Sequence, residues 1–144
     1  MNVMTIDPKE LKPGDALPTL TRQIVQERID EYAEASGDRN PIHIDPAFAK
    51  QTALGGTVAH GMLVLAYVSE LMTGVFRDAW THGGRLTARF KGAAYPGDTI
   101  TVSGKVTGIE KEDGSASVDC DILVANQKDE PVILCGTKVR VKTG

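Results

Sequence analysis

Between Gly61 and Val75 the chain carries Met62, Leu63, Val64, Leu65, Tyr67, Val68, Leu71 and Met72, which put apolar groups on nearly every side of a helix. A soluble helix of that kind offers no polar face to water, so other elements must surround it. It is expected to be the centre of the fold, and the rest of the chain has to cover it.

The covering material follows in sequence. From Arg85 onward the apolar period changes to two, with Leu86, Ala88 and Phe90 alternating with Thr87, Arg89 and Lys91. Ile100, Val102, Gly104 and Val106 repeat the pattern, as do Val118, Cys120, Ile122 and Val124, and finally Ile133, Cys135, Val139 and Val141. Tyr95-Pro96-Gly97-Asp98 has the Pro-Gly order of a type II turn, and further turns fall at Glu112-Asp113-Gly114 and Lys128-Asp129-Glu130. Four consecutive strands joined by short turns predict an antiparallel sheet with one apolar face. Upstream, Lys12-Pro13-Gly14-Asp15 reads as a turn and Leu17 to Val25 as a weak strand. Glu27 to Ser36 reads as a helix with Ile29, Tyr32, Ala33 and Ser36 on one face, stopped by Gly37. Asp45 before Pro46 has the form of an N-cap opening a short helix to Lys50, and Gly55-Gly56-Thr57 is a break. The expected class is α+β, a sheet wrapped around a long apolar helix, in a single domain over residues 1–144.

Charge and hydropathy narrow the partners. A net charge of −3, with Lys and Arg scattered among acids, favours neither nucleic acid nor an anionic membrane. Met1 to Glu10 has an early acid and no apolar core, unlike a secretory signal. The longest apolar stretch, Met62 to Val68, is far too short to span a bilayer. Cys120 and Cys135 form no Cys-x-x-Cys pair, and both fall on the apolar face of their strands. A cytoplasmic protein is the expectation.

Chemistry concentrates in Gly37-Asp38-Arg39-Asn40-Pro41-Ile42-His43-Ile44-Asp45-Pro46. A residue before proline is pushed out of the helical region, so Asn40 and Asp45 should be extended and the Asp38–His43 stretch non-helical. Asp38 and His43 could then aim at one point, and a carboxylate and an imidazole facing a shared water form a general acid/base pair. Separately, the bland readings are a turn residue for Asp38 and a buried, satisfied histidine for His43. His43-Ile44-Asp45 could be half a metal site, but no third ligand stands at useful spacing, so no metal is expected. His60 either shapes the helix entrance or is structural. His82, beside Trp80 and two glycines, reads as surface loop. Arg85, Arg89 and Lys91 share the strand face opposite the apolar one, either as a solvated face or as a contact for phosphates. Leu54, Val58, Met62 and Leu65 either line a pocket or pack in the core.

Tyr32-Ala33-Glu34-Ala35-Ser36-Gly37-Asp38-Arg39-Asn40-Pro41-Ile42-His43, followed by Ala59-His60-Gly61-Met62-Leu63, closely resembles the MaoC-like hydratases, which include R-specific enoyl-CoA hydratases and dehydratases of fatty-acid synthesis. The likeness covers nearly the whole chain. It implies the hot-dog fold, a sheet wrapped around a long helix, and a homodimer. It implies Asp38 and His43 as the acid/base pair, Gly61 as the glycine whose N–H faces a thioester carbonyl, and Asn40 as a positioning amide. Ser69 falls where some members have a serine near the site. The activity implied is reversible hydration of trans-2-enoyl thioesters to (R)-3-hydroxyacyl thioesters, without a cofactor, on an acyl-CoA or acyl-carrier-protein substrate. Competing readings are a dehydratase restricted to carrier-protein substrates, a hot-dog thioesterase and a non-catalytic acyl-binding domain.

Overall fold

The computed structural model describes residues 6–144. Half of the segment read above for a secretory signal, residues 1–5, lies outside the described residues. A 3-10 turn at Pro8–Glu10 leads to the expected turn at Gly14 (φ 94), and then to β1 (Leu20–Gln23) and α1 (Gln26–Ser36). Two short helices follow, α2 (Pro41–Ile44) and α3 (Pro46–Lys50), and then the long α4 (Gly61–Phe76) and α5 (Asp78–Gly83). The rest is strand: β2 (Arg85–Phe90), β3 (Thr99–Glu112), β4 (Ser115–Ala125) and β5 (Pro131–Lys142).

All strand pairs are antiparallel, in the order β1-β3-β4-β5-β2. The sheet therefore departs from a simple run of neighbours. β3–β4 and β4–β5 are hairpins, but β2 pairs with β5 at the far edge. The connection over residues 91–98 carries the chain across to β3. It is anchored where Ala94 is buried and where Gly97 (φ 96) closes the expected turn, with the Asp98 amide bonded to the Tyr95 carbonyl at 2.9 Å. The weak upstream strand is realised as β1, shorter than expected, and supplies a fifth strand beside β3.

Val64, Val68, Leu71, Met72, Val75 and Phe76 of α4 pack in one cluster with sheet residues such as Ile100, Val118, Ile122, Ile133 and Val139. Burying each such side chain stabilises the fold by about 1.5–3 kcal/mol. An ion pair between Arg22 and Glu70 also ties α4 to β1. This is the hot-dog arrangement. The helix is not enclosed on every side, however, because a single five-stranded sheet covers only one flank. Met62 remains 59% exposed, Leu54 is exposed as well, and Leu65 is partly buried, whereas Val58 is buried. Cys120 and Cys135 are buried free thiols on the core face, and burial pushes both up to about 11. Among the described residues no helix is long and apolar enough to cross a membrane.

The segment read as surface loop around His82 is instead α5. Arg77 (φ 54) turns the chain, and Trp80 then docks its ring and donates Nε1–H to Ser69 Oγ at 2.9 Å. The buried contact of one tryptophan overrides the weak local helix signal of Trp-Thr-His-Gly. A Cβ at Gly84 would lie 2.2 Å from Trp80 Cε3, inside a buried ring system that has no free end to swing away. Gly84→Ala is therefore expected to destabilise the protein by about 2–3 kcal/mol. Trp80 is the only tryptophan, so its fluorescence during denaturant unfolding measures this directly. An unchanged midpoint would contradict the packing.

Candidate active site

The Asp/His segment is held by a chain of small local decisions. α1 ends because Gly37 adopts φ 79 and bonds its amide to the Ala33 carbonyl. The Asp38 amide then bonds Ser36 Oγ at 3.2 Å, and Asp38 Oδ1 accepts the Asn40 amide at 3.3 Å. Asn40 and Asp45 are extended, as their following prolines require, at ψ 129 and ψ 99. Between them, however, the chain is helical rather than extended. Asn40 Oδ1 caps α2 by accepting the Ile42 amide at 3.1 Å, and Pro41 at the first position presets the helical φ. His43 thus projects from one helical turn. Asp45 caps α3 through the Phe48 amide at 3.1 Å and is no partner of His43.

His43 is fixed from two sides. Its Nδ1 lies 2.8 Å from the Val58 carbonyl oxygen. A carbonyl only accepts, so Nδ1 carries the proton and the Nε2 lone pair is free. Gln26 Nε2 donates to the His43 carbonyl at 2.8 Å and Gln26 Oε1 accepts from Thr57 at 2.8 Å, joining α1, α2 and the segment before α4. The free Nε2 faces Asp38 Oδ2 at 3.9 Å, with the His43 side chain 14% and the Asp38 side chain 55% exposed. That gap is too long for a direct hydrogen bond, but one water or hydroxyl oxygen can bond both atoms. Arg39, between the two, turns back to α1 and holds both Glu34 oxygens at 3.0 and 2.9 Å. This hydrogen bonding, and then the opposite charge, keeps the Glu34 carboxyl below its ordinary value and raises Arg39.

His60 joins the pair from below. It is 2% exposed, and its ring stacks on His43 at 3.8 Å between centroids and 24° between planes. Its Nε2 lies 2.9 Å from the Asp38 carbonyl oxygen. Asp38, His43 and His60 can each place a ligand atom within 4.8 Å of the others, so His60 is the third group that a metal reading of His43 lacked. Yet stacked imidazoles send their lone pairs side by side instead of toward a common point about 2.0–2.1 Å from each nitrogen. The arrangement suits proton transfer better than a metal centre.

Gly61 follows His60 as the first residue of α4. The first intrahelical donors are Leu63 and Val64, both bonded to the His60 carbonyl, so the Gly61 and Met62 amides precede the ladder. These amides lie at the positive end of the helix dipole. A Cβ at Gly61 would approach Phe90 Cε1 at 2.9 Å, which places the half-exposed Phe90 ring over this helix start. Phe90 escapes sequence reasoning because its alternation marks only a strand face. Ser69 is not brought to the cluster. It stands eight residues farther along α4, about 12 Å up the axis, with its hydroxyl engaged by Trp80. Arg89 lines an open trough of about 810 Å³ on the outer sheet face, with Leu123, Leu134 and Gly136, which shares no residue with the Asp38 cluster.

Many known proteins are similar to this chain in sequence or in fold. A protein of Mycobacterium tuberculosis named enoyl-CoA hydratase ChsH3 is 31% identical over 125 residues, 86% of this chain and 39% of that protein. The mitochondrial 3-hydroxyacyl-[acyl-carrier-protein] dehydratase of Arabidopsis thaliana is 37% identical over 90 residues, 62% of this chain and 52% of that protein. The chain thus spans only about half or less of these relatives' lengths. The solved structure of unliganded R-hydratase PhaJ1 from Pseudomonas aeruginosa superposes with a TM-score of 0.78 at 27% identity, covering 94% of this chain and 89% of that one. The family model described as MaoC like domain matches residues 9–127, from the 3-10 turn before β1 into the β4–β5 turn. With both sequence motifs inside that span and the hot-dog sheet around α4, the chain belongs to the MaoC-like domain family.

Proposed function

We propose that residues 1–144 act as one MaoC-like unit, a hydro-lyase that reversibly hydrates trans-2-enoyl thioesters to (R)-3-hydroxyacyl thioesters, with coenzyme A as the acyl carrier. The observation that carries this reading is the 3.9 Å separation of His43 Nε2 and Asp38 Oδ2, beside a glycine-started apolar helix. A water bound between the two atoms supplies both halves of the addition. Its oxygen bonds C3 of the enoyl group, and a proton passed through the Asp38/His43 pair bonds C2, so the pair ends the cycle as it began. Charge building on the thioester oxygen is met by the Gly61 amide and the α4 dipole, and the missing side chain at Gly61 lets the carbonyl approach. Asn40 serves by capping α2 and so aiming His43. The thioester itself acidifies C2, so no metal or organic cofactor takes part.

The Arabidopsis relative favours a second reading, in which the acyl group rides on a carrier protein. Met62 and Phe90, 59% and 53% exposed beside Gly61, support a homodimer that covers this flank, and light scattering tests it. We place the protein in the cytoplasm.

The deciding assay follows loss of enoyl-thioester absorbance with crotonyl-CoA, an octenoyl homologue and their carrier-linked counterparts, with chiral analysis of the product. Hydration to the R product is expected, and the better carrier separates the two readings. Folded protein that turns over none of these substrates would reject the lyase reading, and release of free thiol would replace it with thioester hydrolysis.

A further inference from the structure

We infer that His60 is a positioning residue whose buried Nε2–H tethers the backbone of Asp38 while its ring sets the plane of His43, so that a single side chain registers the acid/base pair against the start of α4. The inference rests on the hydratase reading for its kinetic consequence only.

The backbone at His60 is bonded on both sides. The Ala59 amide before it bonds the Ala94 carbonyl at 2.8 Å, and its own carbonyl accepts the Leu63 and Val64 amides that open α4. Asp38, by contrast, lies in an exposed loop where its own amide and carboxylate make only long contacts to Ser36 and Asn40, and where Arg39 ties back to Glu34 of α1 and not to the helix start. The bond from His60 Nε2 to the Asp38 carbonyl is the short connection from that loop to the helix start. On its other face the same ring lies against His43, whose Nδ1–H is already aimed at Val58, so tilt and rotation are both set. Tyr32 closes the remaining side, 4.8 Å away between ring centroids.

Packing alone does not account for an imidazole here. His60 Nδ1 is buried without a hydrogen-bond partner, an unfavourable state that an apolar ring of similar size would avoid. The donor at Nε2 is what the imidazole adds. Nε2 holds its proton toward a carbonyl, and at 2% exposure the ring meets neither solvent nor substrate. It acts through Asp38 and His43.

Three variants separate the tether from the packing. His60→Phe keeps a flat ring and loses the donor. His60→Asn keeps polarity but is too short to reach Asp38. His60→Gln places an amide N–H near the position of Nε2. Loss of about 1 Å of registration costs up to about 10²-fold in rate. The Phe and Asn variants are expected to lose about tenfold or more in kcat with KM within about threefold, and Gln to recover most of that loss. In ligand-free protein, backbone ¹⁵N relaxation at Asp38, Arg39 and Asn40 should show lower order in the Phe and Asn variants and near-native order in Gln. Wild-type order at these amides in whichever of the Phe and Asn variants folds would overturn the tether. So would lowered order with unchanged kcat in an active enzyme. If wild-type protein hydrates nothing, the relaxation data alone decide whether His60 holds the loop, independently of the lyase reading.

Discussion

His43→Ala is expected to lower kcat/KM for enoyl-thioester hydration by about 10²–10⁴, the usual contribution of one general acid/base group. The variant removes the His43 Nε2 that faces the Asp38 carboxylate. Asp38→Asn should give a loss of the same order, because the amide keeps the shape but no longer takes up and returns a proton. The two losses should not multiply in the double variant, since each group works on the same water and proton. Folding must be separated from chemistry. His43→Ala also gives up the Val58 bond and the His60 stack, which together stabilise the fold by about 1–2 kcal/mol. Asp38→Asn, at a half-exposed side chain, should leave stability nearly unchanged. Rates are therefore compared well below the unfolding transition of each variant. Either single variant keeping near-wild-type turnover would remove the pair from the mechanism.

Gly61→Ala should leave the fold almost intact and disable the reaction. The added methyl meets the edge of the Phe90 ring, a side chain 53% exposed in the single chain that can give by a few tenths of an ångström, and alanine favours helix over glycine by up to about 1 kcal/mol. The net change in stability should stay within about 1 kcal/mol. The methyl, however, stands where an acyl carbonyl must approach the helix-start amide. Losing that oxyanion contact costs about 2.7–4 kcal/mol, or 10²–10³ in kcat. Phe90→Ala is the control for the packing explanation. If displacement of Phe90 causes the loss, Phe90→Ala alone reproduces it and the double variant adds nothing. If the carbonyl contact matters, Phe90→Ala remains active and Gly61→Ala does not.

Much of the scaffold was legible because it depends on neighbours in sequence. The expected long helix differs from α4 by one residue at its end, since an unbroken apolar run needs no partner to declare itself. Gly37, Asp45-Pro46 and Tyr95-Pro96-Gly97-Asp98 behave as read, because left-handed stops, caps and Pro-Gly turns are set within four residues. α2 was not legible. A single turn is too short for a hydrophobic period, and it exists because Asn40 caps it and His43 hangs from Val58. α5 was not legible either, as its stability comes from Trp80 docking on Ser69.

The sequence by itself determined the central helix, the alternating strands and the pair of motifs that carry Asp38, His43 and Gly61, all properties of residues close in the chain. Only the tertiary structure decided that β2 lies beside β5, that His60 slides under His43 from 17 residues away, that Ser69 answers to Trp80, and that Phe90 covers Gly61. Such contacts form when burying α4 draws distant segments together. Loop closure and packing set which groups meet, and no local pattern encodes that choice.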